Sequence, residues 1–261
     1  MMQKFRLIWV FAAFFAFFSL PATVNTAKHA KGGESAAATT AKAKAALFES
    51  HIKSLYDELN LQNNGLDFNV FRFAVSGYYN LLRENKIMPN RQRLAVADFR
   101  KPSQQKRLFI IDLASRRLLH QTWVAHGRNS GLVYAQKFSN EHSSLQSSLG
   151  FYKTDHTYSG QHGYSLYLDG MEEGFNDQAR PRAIVMHGAD YVTADYIAQH
   201  GRAGRSWGCP SVPFGEHTAI IDNLKSGNCL FIYSDDLSYL NRSKLLNFQK
   251  AADFFSTQNA Y

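Results

Sequence analysis

The sequence predicts a mainly β fold with flanking helices, an α+β domain. Three observations carry that expectation. From Arg93 onward, short runs rich in β-formers, such as residues 107–113 and 118–125, alternate with polar stretches. Before them, Phe68, Phe71, Val75, Tyr78, Tyr79 and Leu82 recur at helical spacing. Across 261 residues, 45% hydrophobic and 14% aromatic content is enough for a sizeable core and excludes a disordered chain.

The elements follow in order. Lys4 and Arg6 precede an apolar run over residues 7–20 and small residues around Pro21 and Ala22, so residues 1–22 read as a secretory signal peptide. The run is shorter than the roughly 20 residues that cross a bilayer, and no stable membrane insertion is expected once it is cleaved. Residues 23–46 are rich in Ala, Thr, Lys and Gly and read as a low-complexity linker, with helix possible near Lys42. Residues 47–88 form an N-terminal helical region of two helices, the second capped by Asp67. Residues 89–236 hold the main domain. Its first three strands, over residues 94–99, 107–113 and 118–125, read as an antiparallel meander. Further strands are expected over residues 150–153, 164–168, 183–186 and 229–233, with long polar loops at 126–149 and 154–163. Thr193 and Gly201 bracket one helix, and residues 214–224 form another. Residues 237–261 carry a C-terminal amphipathic helix.

The net charge is +8, but six basic residues and one acidic residue fall within residues 1–46. The remainder is nearly neutral, which argues against a nucleic-acid groove. The chain contains just two cysteines, Cys209 and Cys229, so a disulfide-stapled scaffold is excluded.

The chemistry concentrates in residues 183–213. A thiol attacks only as thiolate, so a nucleophilic cysteine needs a base or a positive potential beside it. Cys209 sits in the polar turn Ser206-Trp207-Gly208-Cys209, and His187-Gly188 directly follows an apolar strand that fixes the imidazole. Gly208 permits the turn that aims backbone N–H groups at a developing oxyanion. Ser206 can bond the backbone or a substrate, and Arg202 and Arg205 can lower the thiol pKa or meet a carboxylate. Cys229 lies in an apolar run and reads as buried. His126 reads as a structural hydrogen-bonding residue. No H-x-x-x-H or C-x-x-C pair occurs, and no metal site is predicted.

His187-Gly188, seventeen intervening residues and then Ser206-Trp207-Gly208-Cys209 resemble the signature of the YkuD-type L,D-transpeptidases. The stretches DFRKPSQQKRLFIIDL, VAHGRNSG, FSNEHSSLQSSLGFY and GYSLYLDG resemble a divergent branch, the murein L,D-transpeptidase catalytic domain proteins. The resemblance spans about residues 90–235. It implies a YkuD-like catalytic β-fold, exported to the periplasm or cell envelope, that uses no cofactor. Cys209 is then the nucleophile and His187 the base, oriented by the Gly188 carbonyl. N–H groups of Gly208 and Cys209 form the oxyanion hole. The implied partners are peptidoglycan stem peptides. Cys209 would attack the carbonyl of a tetrapeptide's diaminopimelate L-centre, expel D-Ala and pass the acyl group to an amine.

Two departures from the family pattern stand out. Trp207 occupies the position of the family's histidine, so its imidazole is supplied elsewhere, if at all, by His162 or His126, while Trp207 can stack on the stem or a sugar. Pro210-Ser211-Val212 lacks the family's frequent Arg or Asn, which points to Arg205 or Arg182 for the substrate carboxylate. Tyr164 is expected to wall the acyl pocket. Two alternatives share the residues: an L,D-carboxypeptidase with the same Cys–His site, and a non-catalytic envelope module with a Cys209–Cys229 disulfide.

Overall fold

The computed structural model describes residues 36–258; the expected signal peptide and residues 23–35 of the expected linker lie outside them. Eight strands form one sheet in the order β3-β2-β1-β8-β4-β5-β6-β7. Strands β1 (Arg93–Asp98), β2 (Leu108–Asp112) and β3 (Arg117–Thr122) make the expected antiparallel meander. Strand β8 (Cys229–Tyr233) runs parallel to β1 and antiparallel to β4 (Gly150–Gly160), joining the meander to the second half. Strand β5 (Gly163–Gly170) forms a hairpin with β4 and pairs with β6 (Val185–Ala189), which runs parallel to β7 (Ser211–Pro213).

Strands β2, β6 and β8 are buried at every position, as apolar runs covered on both faces should be. Helix α2 (Phe68–Arg83) packs on β1 and β8, its Asp67 cap accepting from the N–H groups of Asn69 and Val70. Gly77 makes that approach possible, since a Cβ there would fall 1.9 Å from the Phe151 ring, itself stacked on Phe231 at 4.1 Å. Helix α3 (Ala194–His200) has the Thr193 cap and the left-handed Gly201 stop that its sequence predicts. Helix α4 (His217–Leu224) packs on β5 and β6.

Three expectations need correction. Residues 36–46, expected to be linker, are the first turns of α1 (Ala36–Glu58). Alanine favours helix, and this segment docks through Lys44–Asp253 and through Phe48 on Phe248 and Phe255. The expected loop over residues 154–163 is mostly strand, because β4 continues to Gly160 through a register shift between Thr154 and Thr157 that breaks the alternation. The C-terminal helix is two helices, α5 (Leu237–Arg242) and α6 (Phe248–Gln258). Between them the Asn80 amide donates to the carbonyls of Leu245 and Asn247 and holds the chain out of helical register.

Candidate active site

The site is built on the β6/β7 edge. β6 extends through Ala189, so His187 and Gly188 lie inside the strand rather than beyond its end. Gly188 is needed there, since a Cβ would meet the His217 ring at 2.8 Å and the Phe214 ring at 3.0 Å. Its carbonyl lies 2.8 Å from His187 Nδ1. A carbonyl only accepts, so Nδ1 carries the proton and Nε2 keeps its lone pair. The β6/β7 register pairs His187 with Ser211, and the Ser211 hydroxyl donates to Nε2 at 2.9 Å. Tyr191 O–H in turn donates to Ser211 Oγ at 3.2 Å.

Cys209 lies two residues before Ser211, beside Val185, whose N–H donates to Sγ at 3.5 Å. The thiol itself points at the Ala183 carbonyl, 3.7 Å away. Burial pushes the Cys209 thiol up, offset in part by the Val185 N–H and the Arg182 charge. Burial pushes His187 down, and His162 and His217 act in the same direction against the Gly188 carbonyl. Thiol and imidazole therefore both rest neutral.

The turn that carries Cys209 is tightly determined. Ser206 N–H donates to the His126 carbonyl at 3.0 Å, and the Ser206 carbonyl accepts from Arg128 N–H at 2.8 Å. Ser206 is buried; its hydroxyl accepts from Gly208 N–H at 3.0 Å and donates to the Cys209 carbonyl at 2.6 Å. It thus shapes the turn and presents nothing to a substrate. The same bond occupies the Gly208 N–H, one of the two donors expected for the oxyanion hole. Gly208 has φ +126°, and a Cβ there would lie 2.7 Å from the Gln146 carbonyl oxygen. Gly208→Ala is expected to cost about 1–3 kcal/mol in urea unfolding and to displace the thiol; stability within error of wild type would show that the turn accommodates a side chain.

Other expected site residues fall elsewhere. Ser165 is the β5 partner of His187, so alternation turns Tyr164 to the opposite face, where its hydroxyl donates to Asp222 of α4 at 2.8 Å. Tyr158, the β4 partner of Ser165, shares the His187 face instead. Arg182 donates to the carbonyls of Ser139 and Gln146 and the hydroxyls of Ser144 and Ser148, which pins the loop beneath Gly208. Arg205 donates to the carbonyls of Arg128 and Gly131. Both arginines fix loops around the nucleophile rather than extend freely. Trp207 is 73% exposed beside Cys209 and open to a ligand.

His126 is buried and accepts at Nδ1 from Arg107 at 2.8 Å, while its Nε2–H donates to the Gly131 carbonyl. Its role is structural. Cys209 and Cys229 are both free thiols, and Cys229 is buried in the central strand, so the disulfide-linked alternative does not hold. Sequence reasoning missed Ser211, Tyr191 and Tyr158; only the placement of Ser211 at strand spacing from Cys209 hinted at its contact.

Residues 62–233 match the family model described as the L,D-transpeptidase catalytic domain, a span that includes His187, Cys209 and every strand. The chain belongs to the L,D-transpeptidase catalytic-domain family. The match takes in α2, which the sequence had placed ahead of the domain boundary. Among solved structures, this L,D-transpeptidase-family chain is similar to an L,D-transpeptidase from Mycobacterium smegmatis, with 13% identity and TM-score 0.34 over 55% of this chain and 59% of that one. It is also similar to L,D-transpeptidase 1 of Mycobacterium tuberculosis, with 8% identity and TM-score 0.31 over 55% and 62% of the two chains. An L,D-transpeptidase from Xylanimonas cellulosilytica gives 12% identity and TM-score 0.30 over 54% and 60%. The chain thus spans about three-fifths of these structures, and at such scores family membership rests on the matched domain alone. No curated protein matches the chain.

Proposed function

We propose that the chain is a cysteine acyltransferase of peptidoglycan stem peptides, working outside the cytoplasm. The observation that supports this most is a neutral thiol held by the Val185 N–H, two residues before an imidazole locked in its Nε2-basic tautomer on the same strand. Among the described residues no helix is long and apolar enough to cross a membrane.

In the resting site the Ser211 hydroxyl occupies Nε2, so it must turn toward Tyr191 before the thiol can reach the base. Nε2 then takes the Cys209 proton as Sγ attacks the carbonyl of the diaminopimelate L-centre. The oxyanion is met by the Cys209 N–H. Collapse breaks the amide bond to D-Ala, whose amine takes the proton from His187, and a thioester remains. An amine of a second stem gives its proton to His187 as it attacks the thioester; the C–S bond breaks, the departing sulfur takes that proton and the cross-link is formed. Trp207 stacks on the stem or its sugar at the rim.

Intact mass of the protein after incubation with disaccharide-tetrapeptide, alone and with a second stem, tests this reading. A covalent adduct is expected in the wild type and absent in Cys209→Ala, whose stability should stay within about 1–2 kcal/mol of wild type. A cross-linked product makes the enzyme a transpeptidase, and tripeptide alone makes it an L,D-carboxypeptidase. A folded protein that forms neither adduct nor product would overturn the proposal.

A further inference from the structure

The hairpin joining β4 and β5 places an imidazole directly over the base. Its turn residues, Gln161 and His162, are flanked by Gly160 and Gly163, which pair across the strand ends. Gly163 adopts φ +71°, and a Cβ at Gly160 would lie 2.6 Å from the Tyr158 ring, so both glycines let the tip curl onto the site. The His162 ring stacks on His187 with centroids 4.4 Å apart and planes 19° from parallel. His187 is only 3% exposed, whereas His162 is itself exposed. The outer imidazole is therefore cover for the inner one. His126, the other residue expected to supply a second imidazole, is committed to Arg107 and Gly131.

We propose that His162 is a positioning residue: its ring lies flat over His187, shields the base from water and keeps it neutral. This rests on the assignment of His187 as base given above. The physical effect is desolvation: stacking removes water that would solvate an imidazolium at His187. The other titratable groups that bear on His187 are His217 from α4 and Tyr191 through Ser211, with Tyr158 of β4 on the same face through Ser165. His217 lies across the strand on the Gly188 side, with its Nδ1 bonded to the Phe214 carbonyl, and does not cover the ring. His162 is thus the group whose removal opens His187 to solvent.

The test is an NMR titration of the histidine ring nitrogens in the whole protein, for wild type, His162→Phe and His162→Ala, with Cys209 acylation followed in parallel. Phenylalanine keeps the stack but cannot titrate; alanine removes the cover. His187 should titrate below an ordinary histidine in the wild type, stay low in His162→Phe and rise by about half a pH unit or more in His162→Ala. The acid limb of the acylation rate should move by the same amount, with KM nearly unchanged. An unmoved His187 in His162→Ala overturns the proposal, and so does an equal rise in both variants, because stacking would then not matter. The titration needs no substrate. A His187 shift without any acylation in the wild type would leave this inference standing and refute the transferase reading instead.

Discussion

His187→Ala slows acylation of Cys209 by about 100- to 10,000-fold at neutral pH and leaves affinity for the stem near wild type. The shape of the pH profile is more telling than the magnitude. In the wild type, burial, followed by the neighbouring imidazoles, pushes His187 below its ordinary 6.5. A general base acts in its neutral form, so the rate should climb through a midpoint below 6.5 and then stay flat. It stays flat because burial pushes the thiol up, and no pre-formed thiolate adds to the rate near neutrality. Without the imidazole the rate should follow the small thiolate population and keep rising into the alkaline range. Stopped-flow acylation measured across pH checks this, with circular dichroism to verify folding. If the variant keeps the wild-type rate and plateau, His187 is not the base.

The second large effect concerns stability. Arg107 is fully buried; its guanidinium donates to the carbonyls of Val124 and Lys101 and to His126 Nδ1. No carboxylate bonds it among the described residues, and it stays charged because the guanidinium rarely loses its proton. Arg107→Met is expected to cost about 3 kcal/mol or more, since it strands three acceptors, two of them buried. Arg107→Lys should recover little, because an ammonium lacks the fork that reaches them. The loss should spread to acylation, since the His126 carbonyl holds Ser206 N–H and with it the nucleophile turn. A pH dependence follows as well. Burial first, and Arg107 second, push His126 down to about 3. Below pH 6.5 the unfolded chain protonates this imidazole while the folded one does not, so stability falls with pH down to about 3, at up to roughly 1.4 kcal/mol per pH unit. In Arg107→Met that window should narrow from its acid end. Urea unfolding at several pH values measures both effects. A slope equal in wild type and variant would mean that Arg107 does not hold His126 neutral.

Local chemistry was legible in the sequence where a signal stays within a few residues. Asp67 and Thr193 cap their helices, Gly201 stops α3, and His187-Gly188 and Gly208-Cys209 mark the site. What escaped depends on pairing between distant segments. Strand β7 is three residues long and ends in proline, too short for periodicity, yet its parallel register with β6 brings Ser211 to His187. Tyr164, expected to wall the site, faces away while Tyr158 faces His187, because facing is decided by the β4/β5/β6 register rather than by either strand alone. Ser206 reads as able to bond the backbone or a substrate, and only the closed turn shows its hydroxyl bonded on both sides within the backbone. The break after α5 depends on Asn80, more than 160 residues away.

The position of β8 also constrains how the molecule comes into being. The strand that joins β1 to β4 is the last of the eight in the sequence. Until residues 229–233 arrive, the meander of β1–β3 and the strands β4–β7 have no shared partner, and each presents an open, unpaired edge. The sheet therefore cannot form progressively from the N-terminus during synthesis; it must wait for nearly the whole chain, and such non-local closure is intrinsically slow. A fragment ending before Cys229 would hold both His187 and Cys209 but lack the strand that joins their half of the sheet to the meander.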